Sequence, residues 1–150
     1  MKLWVLRHGE AEPYGSRPDS ERELTEHGRK EALSSAAPLM GQPLTAIYAS
    51  PYLRAQQTAQ IVREALGFEP EIRTVEWLTP ETDPDKVTDQ LVSVSNVLLV
   101  SHNPLVGNLL SYLQHGAGYP PEKVSTAGLA ELESPELLIG SMKLNSLKHP

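Results

Sequence analysis

Asn96-Val97-Leu98-Leu99-Val100-Ser101-His102-Asn103-Pro104 decides the fold class. Four consecutive aliphatic residues, with no apolar–polar alternation, suit a strand covered on both faces. The run then stops in Ser-His-Asn-Pro. Asn103 offers a side-chain oxygen for a helix N-cap, and Pro104 suits the first helical position. Leu105, Val106, Leu109, Leu110 and Leu113 follow on one helical face. A buried strand, a polar turn and an amphipathic helix form one repeat of an α/β fold.

The same pattern recurs upstream. Leu3–Leu6 is a short apolar run that ends in Arg7-His8-Gly9-Glu10. Pro13–Glu23 reads as a loop, and Thr25 as the N-cap of a helix over Glu26–Met40. Ala32, Leu33, Ala36, Leu39 and Met40 are its expected apolar face, and Gly41-Gln42-Pro43 stops it. Thr45–Ala49 is the next strand. Ser50-Pro51 predicts a capped helix start, with Ala55, Ala59, Val62 and Leu66 buried and Gly67 ending the helix. Glu71–Val75 reads as a short strand, Leu78–Asp85 as a loop and Pro84–Val94 as a weaker helix. Beyond the opening stretch, Gly116–Pro121 is a loop, and Ser125–Glu133 and Leu137–Leu147 are expected to form a hairpin. The expectation is one domain over residues 1–150: a three-layer αβα sandwich with a mostly parallel sheet. Ligands in such folds sit beyond the carboxyl ends of the strands.

Composition limits the function. The 150 residues carry a net charge of -6, against the dense positive face of a nucleic-acid binder. With no cysteine, thiolate catalysis, disulfides and cysteine-based zinc sites are excluded. No apolar run has the length of a membrane span, and Met1–Leu6 is too short for a signal-peptide core. These readings lead to a cytoplasmic protein without nucleic-acid or membrane partners.

Polar clusters follow three expected strands: Arg7-His8-Gly9, then Ser50-Pro51-Tyr52-Leu53-Arg54, then Ser101-His102-Asn103-Pro104. Neighbouring strands would bring two histidines and two arginines to one sheet edge. That set suits phosphoryl transfer. A neutral imidazole is nucleophilic near its ordinary pKa of about 6.5, and adjacent guanidinium groups favour the neutral form. Guanidinium forks also bind phosphoryl oxygens in a bidentate way. Gly9 would let backbone approach the phosphate, and the helix starts at Pro51 and Pro104 would add free N–H groups. A divalent metal on the two histidines is disfavoured by the adjacent arginines and the lack of a carboxylate at ligand spacing. His27, His115 and His149 fit no motif and read as surface residues, and Trp4 and Trp77 as core or rim.

Leu6-Arg7-His8-Gly9-Glu10 resembles the RHG signature of the histidine phosphatase superfamily. Leu24–Ala32 resembles the helix that follows it, Ser50–Ala59 the second motif, and Val100–Pro104 the segment holding the second histidine. The matches run in order from residue 2 to about residue 110. Leu78-Thr79-Pro80 and His102–Gly107 are most similar to the SixA-type branch, which removes phosphate from phosphohistidine on proteins. The resemblance implies a phosphoglycerate mutase-like fold, no cofactor, His8 as nucleophile, and Arg7, Arg54 and His102 on the phosphoryl oxygens. It also implies that Arg22 is a further pocket arginine; a surface ion pair with Glu21 or Glu23 is the alternative. Gly9 and Asn103 complete the expected substrate-binding set.

Larger members carry an inserted segment with a leaving-group acid. This chain is too short for it, so the pocket is expected to lie open to a protein surface. Glu76, Glu81, Asp83 and Asp85 are the carboxylates in the matching stretch, with no choice among them. Phosphohistidine needs less help, because its P–N bond is labile. Two alternatives stay open: a phosphatase or phosphomutase for small phosphate esters, and a module that binds phosphoproteins without turnover.

Overall fold

A computed structural model describes residues 1–150. Six strands form one sheet: β1 (Lys2–Arg7), β2 (Ala46–Ala49), β3 (Arg73–Thr74), β4 (Val97–Ser101), β5 (Leu129–Glu133) and β6 (Lys143–Lys148). Their order is β3-β2-β4-β1-β5-β6. β3, β2, β4 and β1 run parallel, and β5 and β6 extend the β1 side antiparallel. The helices are α1 (Glu26–Ala36), α2 (Leu53–Leu66), α3 (Pro84–Gln90) and α4 (Leu105–His115).

Side chains alternate across each strand, so each buried strand serves two cores. Leu3, Val5, Val97 and Leu99 pack beneath α3 and α4 with Val87, Leu105, Leu109 and Leu113. Trp4, Leu6, Leu98 and Val100 pack beneath α1 and α2 with Ala36, Ala55, Ala59 and Val62. This is the expected three-layer sandwich. The parallel register aligns three strand ends: Arg7 pairs with Ser101, and Val100 pairs with both Leu6 and Ala49. His8, Ser50 and His102 therefore leave the sheet side by side. No helix is long and apolar enough to cross a membrane.

Several expected boundaries shift. α1 stops at Ala36, where Pro38 enters a 3-10 turn, and Leu33 (57% exposed) and Met40 (59%) face solvent. The buried residues of α1 are Gly28, Ala32, Ser35 and Ala36. Leu33 lies one residue, about 100°, off that stripe. Ser50 does not cap α2, whereas Asn103 Oδ1 takes the Gly107 N–H in the first turn of α4 from one residue further out than expected. α2 begins at Leu53 after an uncapped Tyr52, and α4 begins at Leu105 after a cis Asn103–Pro104 bond. β3 shrinks to two residues, α3 ends at Gln90, and the final hairpin is confined to β5 and β6, with residues 134–142 between them.

Candidate active site

His8 follows β1, and its backbone N–H continues the ladder to the carbonyl of Ser101 (3.0 Å). Its Nδ1 lies 2.6 Å from the carbonyl of Gly9. A carbonyl only accepts, so Nδ1 carries the proton and Nε2 keeps its lone pair. Arg54, in the first turn of α2, donates from Nε to that Nε2 at 3.3 Å. The ring of His102, after β4, lies 5.1 Å from that of His8.

His102 is oriented from the other side. Its Nε2 is 2.7 Å from Ser50 Oγ, which itself accepts from the Tyr52 N–H at 3.2 Å. Ser50 is fully buried and its hydroxyl proton has no other acceptor, so it donates to His102 Nε2. That leaves the imidazole proton on Nδ1. The Tyr52 ring packs edge-on against His102 at 5.1 Å. His102 Nδ1 and Arg7 Nε are buried without hydrogen-bond partners. Only one other buried side-chain N or O, Ser111 Oγ, shares that condition. The cluster therefore concentrates unspent donors, as an anion site requires.

Three arginines surround the histidines. Arg7 Nη1 donates to the carbonyl of Val124 at 2.9 Å. Arg22 is buried, and its Nη1 donates to the carbonyl of Glu12 at 2.5 Å. Its carboxylate partner is Asp19 (2.9 Å), not Glu21 or Glu23, and Tyr14 lies over its guanidinium at 4.0 Å. Arg54 also donates to Asp19, from Nη1 to the carbonyl (2.6 Å) and from Nη2 to Oδ2 (3.3 Å).

Burial and these positive charges act together. Desolvation is the largest effect on His8; its bond to the Gly9 carbonyl opposes it, and the charges of Arg54, Arg7 and Arg22 add to it, which leaves the pKa lowered to about 3. Desolvation, His8 and the same arginines lower that of His102 to about 2. Both imidazoles are neutral at pH 7. Burial also lowers Arg54 and Arg7, which stay far above neutrality as arginines do. A neutral imidazole with an unprotonated Nε2 can attack an electrophilic phosphorus, and the guanidinium groups around it can spread the charge of the phosphoryl oxygens.

The sequence profile of the histidine phosphatase superfamily (branch 1) matches residues 3–78. The chain belongs to the histidine phosphatase superfamily. It is 33% identical to the phosphohistidine phosphatase SixA of Escherichia coli, over 88% of this chain and 84% of that protein. It is 35% identical to a SixA homolog of Haemophilus influenzae, over 75% and 77%. A solved structure of the protein histidine phosphatase SixA complexed with tungstate superposes with TM-score 0.87 at 31% identity, covering 99% of this chain and 97% of that one. A mycobacterial glucosyl-3-phosphoglycerate phosphatase shares the fold, with TM-score 0.74 at 19% identity over 99% of both chains.

In this histidine phosphatase the expected residues divide into two groups. His8, Arg7, Arg22, Arg54 and His102 converge. Gly9 and Asn103 adjoin His8 and His102 in the chain and make contacts of their own. A side chain on Gly9 would meet the backbone of Gly28 at 2.3 Å, so that glycine permits the loop to cross α1, and its N–H goes to Thr58 Oγ1 (3.1 Å). Asn103 donates to the Val124 carbonyl and accepts from the Gly107 N–H, both at 3.2 Å, which commits its side chain to holding the loop. Nor is the pocket open. His8 is 7% exposed, Arg22 6%, Arg54 2% and His102 1%; Tyr14 lies against Arg22, Asp19 binds Arg22 and Arg54, and Tyr52 and Ser50 pack on His102. Glu76, Glu81, Asp83 and Asp85 are all exposed, and none bonds to the cluster. Sequence reading missed Asp19, Thr58 and the Ser50–His102 contact. Thr58 had a signal: it lies four residues after Arg54 on the α2 stripe, where its hydroxyl donates to the Arg54 carbonyl (2.8 Å).

Proposed function

We propose that this histidine phosphatase hydrolyses phosphohistidine on a partner protein through a covalent phosphohistidine at His8 Nε2, and that it acts in the cytoplasm. The observation that carries the chemistry is the unprotonated Nε2 of His8 inside the arginine cluster, 3.3 Å from Arg54 Nε. The SixA relatives support the substrate.

In the first step the Nε2 lone pair attacks phosphorus, and the bond from phosphorus to the substrate imidazole breaks as that imidazole takes a proton. In the second step water attacks phosphorus, the P–Nε2 bond breaks, and phosphate leaves with His8 neutral again. Arg7, Arg22, Arg54 and His102 Nδ1 donate to the three phosphoryl oxygens, each charged contact contributing about 1.5–3 kcal/mol. None of the four acidic residues reaches the cluster, which fits a labile P–N bond whose leaving imidazole needs no acid from this chain. Asn103 and Gly9 shape the loops around the pocket.

Mass spectrometry of the protein quenched during turnover of labelled phosphohistidine protein tests both parts. The expected label is acid-labile, base-stable and on the peptide containing His8, and His8→Ala abolishes it together with turnover. Full turnover in His8→Ala would overturn the mechanism. Faster turnover of sugar or glycerate phosphates than of phosphohistidine protein would overturn the substrate assignment.

A further inference from the structure

We propose that the Asp19 carboxylate is the resident counter-ion of the anion pocket: it holds Arg22 and Arg54 in the ligand-free protein and competes with phosphate for them. This rests on the reading of the arginine cluster as a phosphoryl site.

Asp19 opens a 3-10 turn over Asp19–Glu21, on the loop before α1. Its two carboxylate oxygens are divided between two arginines, Oδ1 on Arg22 Nε (2.9 Å) and Oδ2 on Arg54 Nη2 (3.3 Å). Its carbonyl takes Arg54 Nη1 at 2.6 Å. No other carboxylate lies within ion-pair distance of either guanidinium. With Arg54 Nε directed at His8, three of the five Arg54 N–H groups are committed, two of them to Asp19.

That arrangement resembles an occupied oxyanion site. A phosphoryl group bonding to His8 Nε2 must take the space that Arg54 Nε now faces, and its oxygens need guanidinium N–H groups that Asp19 holds. Three guanidinium groups with no anion between them would repel one another, and Asp19 relieves that repulsion until a ligand arrives. Afterwards its negative charge opposes the bound phosphate and favours release. At 43% exposure the Asp19 side chain is partly screened, which sets the effect near the low end for adjacent charges, about tenfold in affinity.

Calorimetric titration with inorganic phosphate separates this from a merely structural role. Asp19→Asn and Asp19→Ala are expected to bind phosphate about tenfold more tightly than wild type, and to turn over phosphohistidine protein with lower kcat and lower KM. A structural lesion would move phosphate affinity the other way. Glu21→Gln removes the same charge from an exposed position on the same turn and is expected to leave phosphate affinity within twofold. Unchanged or weaker phosphate binding in both Asp19 variants would overturn the proposal, as would equal tightening in Glu21→Gln. A wild-type chain that bound phosphate but left phosphohistidine protein intact would overturn the substrate assignment, while the titrations would still judge Asp19.

Discussion

Arg54 shows how much geometry one side chain carries in this protein. Its guanidinium meets His8 through Nε and Asp19 through both Nη atoms, and its carbonyl receives Thr58, whose hydroxyl also takes the Gly9 N–H. The planar fork thus fixes the nucleophile and the Asp19 loop relative to the start of α2. A lysine ammonium is a point charge on a flexible stem and cannot make these contacts together. Arg54→Lys is expected to keep its far-ultraviolet circular dichroism and to lose about a hundredfold in kcat/KM on phosphohistidine protein, the equivalent of one or two charged hydrogen bonds. A loss under threefold would show that charge alone suffices at this position.

The first turn of α1 is the element that seals the loop after β1. Thr25 accepts from the Gly28 N–H (3.0 Å) and donates to Glu10 Oε1 (2.7 Å), while the Gly9–Glu10 backbone crosses Gly28 directly. A Cβ on Gly28 would lie 2.0 Å from the Glu10 carbonyl oxygen, so one backbone must yield. Gly28→Ala is expected to cost about 3 kcal/mol, the upper part of the overpacking range, and to lower Tm by about 6–12 °C. An unchanged melting curve would contradict the crossing. Such features mark the limit of what sequence can show. The strand at Val97–Val100, the Thr25 cap and the α4 stripe were legible because each depends on near neighbours in the chain. The joining of His8, Arg54 and His102 was legible because parallel strands must align their carboxyl ends. The need for Gly9 and Gly28 was not, since it arises from backbones 19 residues apart touching in space. Asp19 was hidden likewise: it sits in a polar loop, and its partner Arg54 lies 35 residues on. Leu33 misled because apolar character was taken for burial, whereas the small residues Gly28, Ala32 and Ala36 form the packed face.

Across the whole molecule, the state that suits the chemistry also sets the response to acid. His8 and His102 are held neutral in the folded protein, with pKa values of about 3 and about 2, whereas in the unfolded chain they titrate near 6.5. Above pH 6.5 both states hold neutral imidazoles, and the full stability is present. As pH falls below 6.5 the unfolded chain binds protons that the folded protein refuses, and stability declines. Asp19 adds nothing in this window. Burial raises its pKa, but its bond to Arg22 and the charges of Arg54 and Arg22 outweigh that and leave it below the ordinary carboxylate value, so its contribution is lost only in stronger acid. Between pH 7 and pH 5 the two histidines therefore dominate, at about 2 kcal/mol each by pH 5. Urea unfolding at the two pH values is expected to show a loss of about 4 kcal/mol in wild type and about half that in His8→Ala. Equal loss in wild type and His8→Ala would mean that His8 is protonated in the folded protein, and a protonated Nε2 has no lone pair with which to attack phosphorus.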